Sequence, residues 1–506
     1  MKLSPISVAI ALVLQCAFVT AGASRVKPGR TTSMLINPGA QPDLPSASEA
    51  KAASQNVGLN LDDIQGDILV GMKKDKELFF FFGIEDAATF KSKLASDIHN
   101  LITSTAGLLD VALQPTTAVN IAFSESGLKA IGVNDDLQDR PFKEGQFAGA
   151  SNLSDPGTSN WVQAFAGTSI HGVFLIASDS QANVDEEFAK IQNILGNSVV
   201  EIHRLQGAAR PGNEKGHEHF GYMDGIGQPA IRGFVKGPLP GQAIVEPGAI
   251  LTGEQGDPHL TFRPTWAKGG SFLAFRQLKQ RVPEFNKFLT DNALALPNLT
   301  KQENIDLLGA RMVGRWKSGA PIDLAPLRDD PDLGADPQRN NNFTYNHTDP
   351  GFSIETNQTM CPFSAHTRKT RPRGDFQPEL SDFHIMRAGI PYGPEVTEAE
   401  ASAQASSDSP ELERGLAFVS YQSDIDRGFA FIQRTWANNQ DFRRPGVHSS
   451  VHSIYRGQDP IIGSANPFSP PGDTPRNVTG LDIQRRIVVN PDFVNLWIVT
   501  VSSLII

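Results

Sequence analysis

The sequence has little cysteine, little excess charge and no long apolar run beyond its N-terminal segment. Its 2 cysteines are Cys16 and Cys361. Because Cys16 lies in the predicted signal peptide described below, the mature chain is expected to have one thiol and no internal disulfide. The net charge of −10 is mild, and the one dense basic run, which follows His366, contains no interleaved aromatics, which argues against nucleic acid as a partner. The apolar stretch Val494–Ile506 is too short to cross a bilayer. We therefore expect a globular protein with a core of its own and no membrane partner.

The N-terminus has the pattern of a secretory signal. Lys2 is followed by the apolar stretch Ile6–Val19 and then by small residues, so residues 1–23 are predicted to be a signal peptide. A membrane anchor is the alternative, which the short apolar stretch disfavours. Residues 24–56, rich in Ser, Ala, Pro and Gly, are predicted to be a pro-segment or a disordered leader. Asn-x-Ser/Thr sites favour a secreted, extracellular glycoprotein, and they occur at Asn152, Asn298, Asn342, Asn346, Asn357 and Asn477.

Strand and helix patterns mix along the rest of the chain, which predicts an α+β fold with antiparallel sheets. A Gly- and Pro-rich connecting loop at 233–258 divides an N-terminal half, 57–232, from a C-terminal half, 259–506. The predicted strands are Leu78–Phe82, Ala118–Phe123, His171–Ala177, Val199–Arg204, Ser271–Leu278, Phe383–Arg387 and Gly415–Tyr421. The predicted helices are Phe90–Leu101, Ser126–Ile131, Val184–Leu195, Val282–Asp291, Asn304–Val313 and Asp426–Trp436.

Asp224 is a candidate acid–base residue in the segment Gly221-Tyr222-Met223-Asp224-Gly225. Cleaving hydrogen peroxide heterolytically requires a proton to move from one oxygen to the other, and a carboxylate beside a metal can carry it. The neighbouring glycines would let the backbone lie against a flat ligand. The alternative is an ordinary Asp-Gly surface turn.

His366 lies in the proline-bounded, basic loop Cys361–Arg373 and is a candidate metal ligand. A neutral imidazole is the usual axial ligand of haem iron in peroxidases, and the cations that follow suit the two haem propionates, with Arg368 the best candidate. Arg387 ends an apolar strand, where a fixed guanidinium over the iron would bind peroxide and stabilise charge on the departing oxygen. The alternatives are a packed or surface histidine and a solvated arginine at a strand end.

Other polar groups compete with this interpretation. His217 and His219 have the spacing of metal ligands on one face of a strand, but no third ligand lies nearby, so solvated histidines are favoured. Cys361 could be a nucleophile, but its Pro and Phe neighbours favour a buried small apolar residue.

Taken together, these segments resemble the secreted, fungal type of dye-decolourising peroxidase. The resemblance includes Ile64–Leu69, Gly270–Arg276, Val313–Gly319 and Arg387–Gly393. It implies two ferredoxin-like halves, with haem b held mainly by the C-terminal half. It also implies that Asp224 is the distal acid–base residue, Arg387 the distal arginine and His366 the axial ligand of the iron.

The resemblance further implies that hydrogen peroxide is reduced to water and that bulky aromatic donors, such as anthraquinone and azo dyes and phenols, are oxidised by one-electron steps through an oxoferryl intermediate. Bulky dyes cannot reach a buried haem, so a surface aromatic would pass electrons. Tyr392 resembles the family's oxidisable tyrosine and Trp436 is a second candidate, with ordinary packing as the alternative for both. Asp459 is a candidate carboxylate partner of His366. The segment Val488–Ile506 departs from the family's usual C-terminal strand.

A haem-binding or haem-handling protein on the same fold, with little peroxidase turnover, is the alternative function. The presence of both Asp224 and Arg387 argues against it. A non-enzymatic secreted glycoprotein is a third possibility, and it predicts no haem absorption band.

Overall fold

The computed structural model describes residues 58–72, 75–109, 115–155, 161–235, 237–376, 383–439 and 458–462, a few positions within 48–55 and at 158, and the backbone of 497–505. The strands are β1 (Lys76–Ile84), β2 (Ala118–Phe123), β3 (Gly172–Ser178), β4 (Val199–Ala208), β5 (Ala230–Ile231), β6 (Ile244–Val245), β7 (Phe272–Gln280), β8 (Met386–Arg387), β9 (Ile390–Tyr392), β10 (Gly415–Gln422) and β11 (Trp497–Ile505).

The helices lie mainly between these strands. The α-helices are α1 (Gly66–Leu69), α2 (Ala87–Ser96), α3 (Thr105–Leu109), α4 (Glu125–Ala130), α5 (Arg140–Glu144), α6 (Gln146–Gly149), α7 (Gln181–Leu195), α8 (Val282–Asp291), α9 (Lys301–Val313), α10 (Pro331–Ala335), α11 (His366–Thr370), α12 (Glu398–Ala403) and α13 (Phe429–Phe431), which continues as a π-helical turn, Ile432–Ala437. Short 3₁₀ turns occur at Ile98–Leu101, Gln163–Phe165, Gly196–Ser198, Gly212–Glu214, Pro247–Ala249, Thr265–Ala267, Arg373–Asp375 and Pro410–Leu412. Among the described helices, none combines the length and the apolar character that a membrane span requires.

Nine of the described strands form one antiparallel sheet in the order β7-β11-β2-β3-β1-β4-β9-β10-β8. Because β10 also pairs with β7 over its whole length, the sheet curls until its two ends meet. Strands from both predicted halves share this sheet, since Gly207 of β4 pairs with Tyr392 of β9. The prediction of an α+β fold with antiparallel sheets is confirmed, whereas the division at 233–258 stays a prediction.

The run of four phenylalanines in β1 shows why the sheet is apolar on both faces. Successive side chains of a strand point to opposite faces. Phe79 and Phe81 face one core, where their ring centroids lie 5.1 and 5.0 Å from that of Phe275 in β7. Phe80 and Phe82 face a second core beneath helix α7. An uninterrupted apolar run, without polar alternation, is typical of a strand covered on both sides.

Helix α9 sets the position of the segment that carries His366. A capping box between Thr300 and Glu303 begins the helix, and Gly314 ends it in the left-handed conformation with φ of 93°. A Cβ atom on Gly314 would lie 2.0 Å from Thr367 Oγ1, so only glycine allows this approach. The end of α9 therefore packs directly against the start of α11.

Three predicted elements differ from the structure. The helix predicted at Phe90–Leu101 divides into α2, which ends at Ser96, and the 3₁₀ turn Ile98–Leu101. The strand predicted at Phe383–Arg387 forms only over the two residues of β8. The helix predicted at Asp426–Trp436 begins later, as α13, because the Asp424 side chain accepts a hydrogen bond from the Arg427 N–H at 2.9 Å and turns the chain first.

Candidate functional site

The three residues predicted to carry the chemistry line one cavity. Asp224 comes from the loop after β4, His366 from the first residue of α11 and Arg387 from the end of β8. Most of the remaining wall is apolar, including Leu278, Phe343, Phe376, Leu416, Phe418 and Phe429. The structure therefore brings together an acid, an imidazole and a guanidinium in a largely apolar chamber, as the sequence predicted.

Glycines fix the loop that presents Asp224. Gly221, Gly225 and Gly227 have φ values of 91°, 86° and 90°, a region that side-chain-bearing residues rarely adopt. The N–H of Gly225 donates to Asp224 Oδ1 at 2.6 Å, which orients the carboxylate. These glycines are thus required by the backbone conformation of the loop, and the ordinary surface turn is not what the structure shows, since Asp224 lines the cavity.

Arg387 forms an ion pair with Asp224. Its Nη1 donates to Asp224 Oδ1 and its Nη2 donates to the carbonyl of Ile226 at 3.1 Å. The Arg387 and Asp224 side chains are 31% and 26% exposed, so the pair is half-buried and the solvated strand-end arginine is excluded. The sequence assigned no role to Gln228. Its Oε1 accepts a hydrogen bond from the backbone N–H of Arg387 at 3.1 Å, and its Nε2 donates to the carbonyl of Arg387, so the Gln228 side chain fixes the backbone of Arg387 through both groups.

The axial-ligand candidate is held by a buried carboxylate. His366 Nδ1 donates to Asp459 Oδ2 at 2.7 Å, and the Asp459 side chain is 0% exposed. Asp459 Oδ1 accepts from the N–H groups of Ile461 at 2.8 Å and Ile462 at 3.1 Å. With the proton on Nδ1, the lone pair of His366 lies on Nε2, the atom that would bind a metal. The proposed pairing of His366 with Asp459 is confirmed.

Arg368 does not face the cavity, and the prediction that it binds a propionate is wrong. Its guanidinium donates to both carboxylate oxygens of Asp375, at 2.7 and 2.6 Å, and to the carbonyl of Cys361 at 2.6 Å. The ion pair is buried, with both side chains at most 3% exposed. Burial raises the pKa of the Cys361 thiol to about 12, which agrees with an unreactive packed cysteine.

Besides Arg387, the arginines that line the cavity are Arg276, Arg315, Arg371 and Arg373. Arg276 is already paired with Asp155, at 2.9 and 3.1 Å. In the part of the chain that the structure describes, the hydrogen-bond acceptors of Arg315 are all neutral. They are the carbonyls of Gly319 and Asn340, at 2.9 and 2.7 Å, and Asn341 Oδ1 at 3.1 Å. Burial lowers the pKa of Arg315 to about 10. A buried guanidinium with neutral acceptors favours an anionic group from a ligand. The donor set of this cavity, one oriented imidazole and buried arginines in an apolar wall, fits haem with its two propionates.

The two aromatic candidates for electron transfer are both buried. Tyr392 is 4% exposed and Trp436 is 4% exposed, so neither is the surface aromatic that the sequence predicted. Trp436 lines the cavity and packs against Phe376 and Phe431. Tyr392 lies on β9, where its hydroxyl donates to Glu413 Oε1 at 3.0 Å.

His219 is not solvated, contrary to the prediction. It is 4% exposed, its Nε2–H donates to the carbonyl of Tyr392 at 2.9 Å, and burial lowers its pKa to about 4. Within the described part of the chain, no group of three or more His, Cys, Asp or Glu side chains is placed to hold a metal ion.

Two protein-family models match the chain. The model described as the DyP dimeric alpha+beta barrel domain matches residues 63–211. The model described as Dyp-type peroxidase, C-terminal, matches residues 260–444 and so includes Arg315, His366 and Arg387.

Curated proteins and solved structures agree with these matches. Peroxidase 2 of Mycetinis scorodonius is 60% identical over 483 residues, which cover 93% of this chain and 91% of that protein. Dye-decolorizing peroxidase AauDyP1 of Auricularia auricula-judae is 53% identical over 459 residues, 89% of this chain and 85% of that protein. The crystal structure of AauDyP complexed with imidazole has a TM-score of 0.80 and 50% identity to this chain, covering 88% of it and 97% of the solved chain.

Proposed function

The chain belongs to the family of dye-decolourising (DyP-type) peroxidases, and we propose that it binds one haem b, reduces hydrogen peroxide and oxidises anthraquinone and azo dyes and phenols. One observation carries the proposal: an imidazole whose Nδ1 is fixed by the buried Asp459 lines the same cavity as the ion pair of Asp224 and Arg387. Haem, when bound, supplies the redox-active iron.

His366 would hold the haem iron through Nε2. The hydrogen bond to Asp459 holds the required tautomer and makes the imidazole a stronger donor. Arg315 is the proposed partner of a propionate, with Arg371 and Arg373 as further cations of the same wall. Arg368 cannot serve in this way, because its guanidinium is paired with Asp375.

Asp224 is the proposed proton carrier. Its carboxylate would take a proton from one oxygen of hydrogen peroxide and deliver it to the other, so that the departing oxygen leaves as water. The guanidinium of Arg387 would stabilise negative charge on that oxygen. Gln228 keeps Arg387 in place by two backbone hydrogen bonds.

Secretion and glycosylation are part of the proposal. The signal peptide at 1–23 and the leader at 24–56 rest on sequence, and nearly all of these residues lie outside the described part of the chain. Exposure supports glycosylation at several sites, since Asn152, Asn298, Asn342 and Asn346 are exposed and Asn357 is half-exposed. Asn477 lies outside the described residues.

The experiment is to compare the purified holoenzyme with Asp224→Asn, which keeps the size of the side chain and removes its ability to accept the proton. Peroxide-dependent oxidation of an anthraquinone dye is expected to fall about 10²- to 10⁴-fold, with an unchanged haem absorption spectrum. Asp291→Asn is the control, because Asp291 pairs with Lys287 on the exposed side of α8 and its side chain is 53% exposed. Equal dye oxidation by wild type and Asp224→Asn would refute the proposed role, and a haem spectrum without turnover in wild type would favour the haem-handling alternative.

A further inference from the structure

The ring of Tyr392 is buried, but its hydroxyl is hydrogen-bonded to a carboxylate that is partly exposed to solvent. Its hydroxyl donates to Glu413 Oε1 at 3.0 Å, and the Glu413 side chain is 30% exposed. The same oxygen accepts from Gln277 Nε2 at 3.1 Å, and Glu413 Oε2 lies 3.7 Å from Lys279 Nζ. A carboxylate at the protein surface therefore holds the phenol of a buried tyrosine.

Tyr392 also lies close to the wall of the haem cavity. It pairs with Gly415 across β9 and β10, and a Cβ atom on Gly415 would lie 2.8 Å from Tyr392 Cε1, so the ring packs directly on that backbone. Leu416, the next residue of β10, lines the cavity, as does Leu278 of the neighbouring strand β7. One layer of the sheet thus separates the phenol from the cavity.

Removing an electron from a buried phenol leaves a positive charge in an apolar site unless the proton leaves too. Burial, together with the charge of Glu413, raises the pKa of Tyr392 well above its ordinary value, so the ring is a neutral phenol before oxidation. Oxidation at this position therefore requires a base within hydrogen-bonding distance, and Glu413 Oε1 is such a base.

We propose that Glu413 accepts the phenolic proton of Tyr392 when Tyr392 passes an electron to the peroxide-oxidised haem. The inference rests on the proposed function. The O–H bond of Tyr392 breaks, the electron goes to the haem centre, the proton goes to Glu413 Oε1, and a neutral phenoxyl radical remains. An aromatic donor at the surface then returns one electron to the radical, and the proton returns from Glu413, so the donor alone is oxidised. Glu413 is a positioning residue that acts through Tyr392.

The test uses holoenzyme variants and electron paramagnetic resonance of samples frozen after one equivalent of peroxide. Wild type is expected to give a tyrosyl radical that Tyr392→Phe lacks. Glu413→Gln keeps an acceptor oxygen for the phenol but takes no proton, so it is expected to lower the yield of this radical at least tenfold, with an unchanged haem spectrum and an unchanged rate of reaction with peroxide. The formation rate in wild type is expected to fall about twofold in D₂O, because the proton moves with the electron.

Glu411→Gln is the matched control. Glu411 lies two residues before Glu413, is exposed, and accepts a hydrogen bond from the hydroxyl of Ser409. A wild-type radical yield in Glu413→Gln, or a wild-type signal that survives in Tyr392→Phe, would overturn the inference. A thermal melt of Glu413→Gln that matches wild type excludes misfolding as the cause of a lost signal. If wild-type haem does not react with peroxide at all, the proposed function itself fails, which is a different outcome.

Discussion

The hydrogen bond between His366 and Asp459 gives the sharpest prediction for the haem site. Asp459 is fully buried and accepts three N–H groups, from His366 Nδ1 and from the backbones of Ile461 and Ile462. Asp459→Asn leaves a side chain of the same shape with one acceptor oxygen and one NH₂ group. At least one N–H group then faces another donor, which is costly in a buried site.

The expected size of the effect follows from this conflict. If the amide oxygen keeps the two backbone N–H groups, the NH₂ group faces Nδ1, and His366 must move its proton to Nε2, the atom needed for the iron. Loss of such a partner of a metal ligand typically costs 10- to 100-fold in affinity, about 1.4 to 2.7 kcal/mol. The reduction potential of the iron is expected to rise, because a less basic imidazole stabilises the oxidised iron less.

The assay is haem transfer from holoenzyme to an excess of a haem-acceptor protein, followed by absorbance, together with potentiometric titration of the bound haem. Asp291→Asn, an exposed change of the same chemistry on α8, is the control and is expected to match wild type. The reasoning would be refuted if Asp459→Asn lost haem at a rate within about twofold of wild type and its reduction potential lay within a few millivolts of wild type.

Three further predictions concern buried charged or titratable groups. Arg368→Gln leaves Asp375 buried without its cation, and it is expected to lower the unfolding free energy by about 3 to 5 kcal/mol in denaturant titrations. Arg315→Gln removes a cation whose acceptors are neutral, so it is expected to speed haem loss about tenfold with a smaller effect on the unfolding free energy. Burial and the charge of Asp424 raise the pKa of Asp139 from 3.8 to about 7. The folded chain therefore holds this proton more tightly than the unfolded chain, so this contribution to stability is full below about pH 4 and falls by up to about 4 kcal/mol as the pH rises to about 7. Thermal melts across this range should show a flatter slope for Asp139→Asn, and an unchanged slope would contradict the raised pKa.

Several features of the site were predictable because their residue types admit few structural roles. A carboxylate among three glycines, a histidine in a basic loop and an arginine at the end of an apolar strand are each ambiguous alone, but their combination indicates haem chemistry. The prediction for Arg368 failed for a local reason. His366 begins a helix, and residues two apart on a helix lie on different faces, so Arg368 points away from the side that His366 presents.

The sequence by itself determined the chemical groups, the strand character of the phenylalanine run in β1 and the glycines that give the Asp224 loop its conformation, because these depend on residue type and on neighbours along the chain. Only the tertiary structure decided which groups meet. Asp224 lies 163 residues from Arg387, and His366 lies 93 residues from Asp459. Such partners are selected by closure of the curled sheet and by exclusion of water from the cavity, and neither leaves a periodic pattern in the sequence.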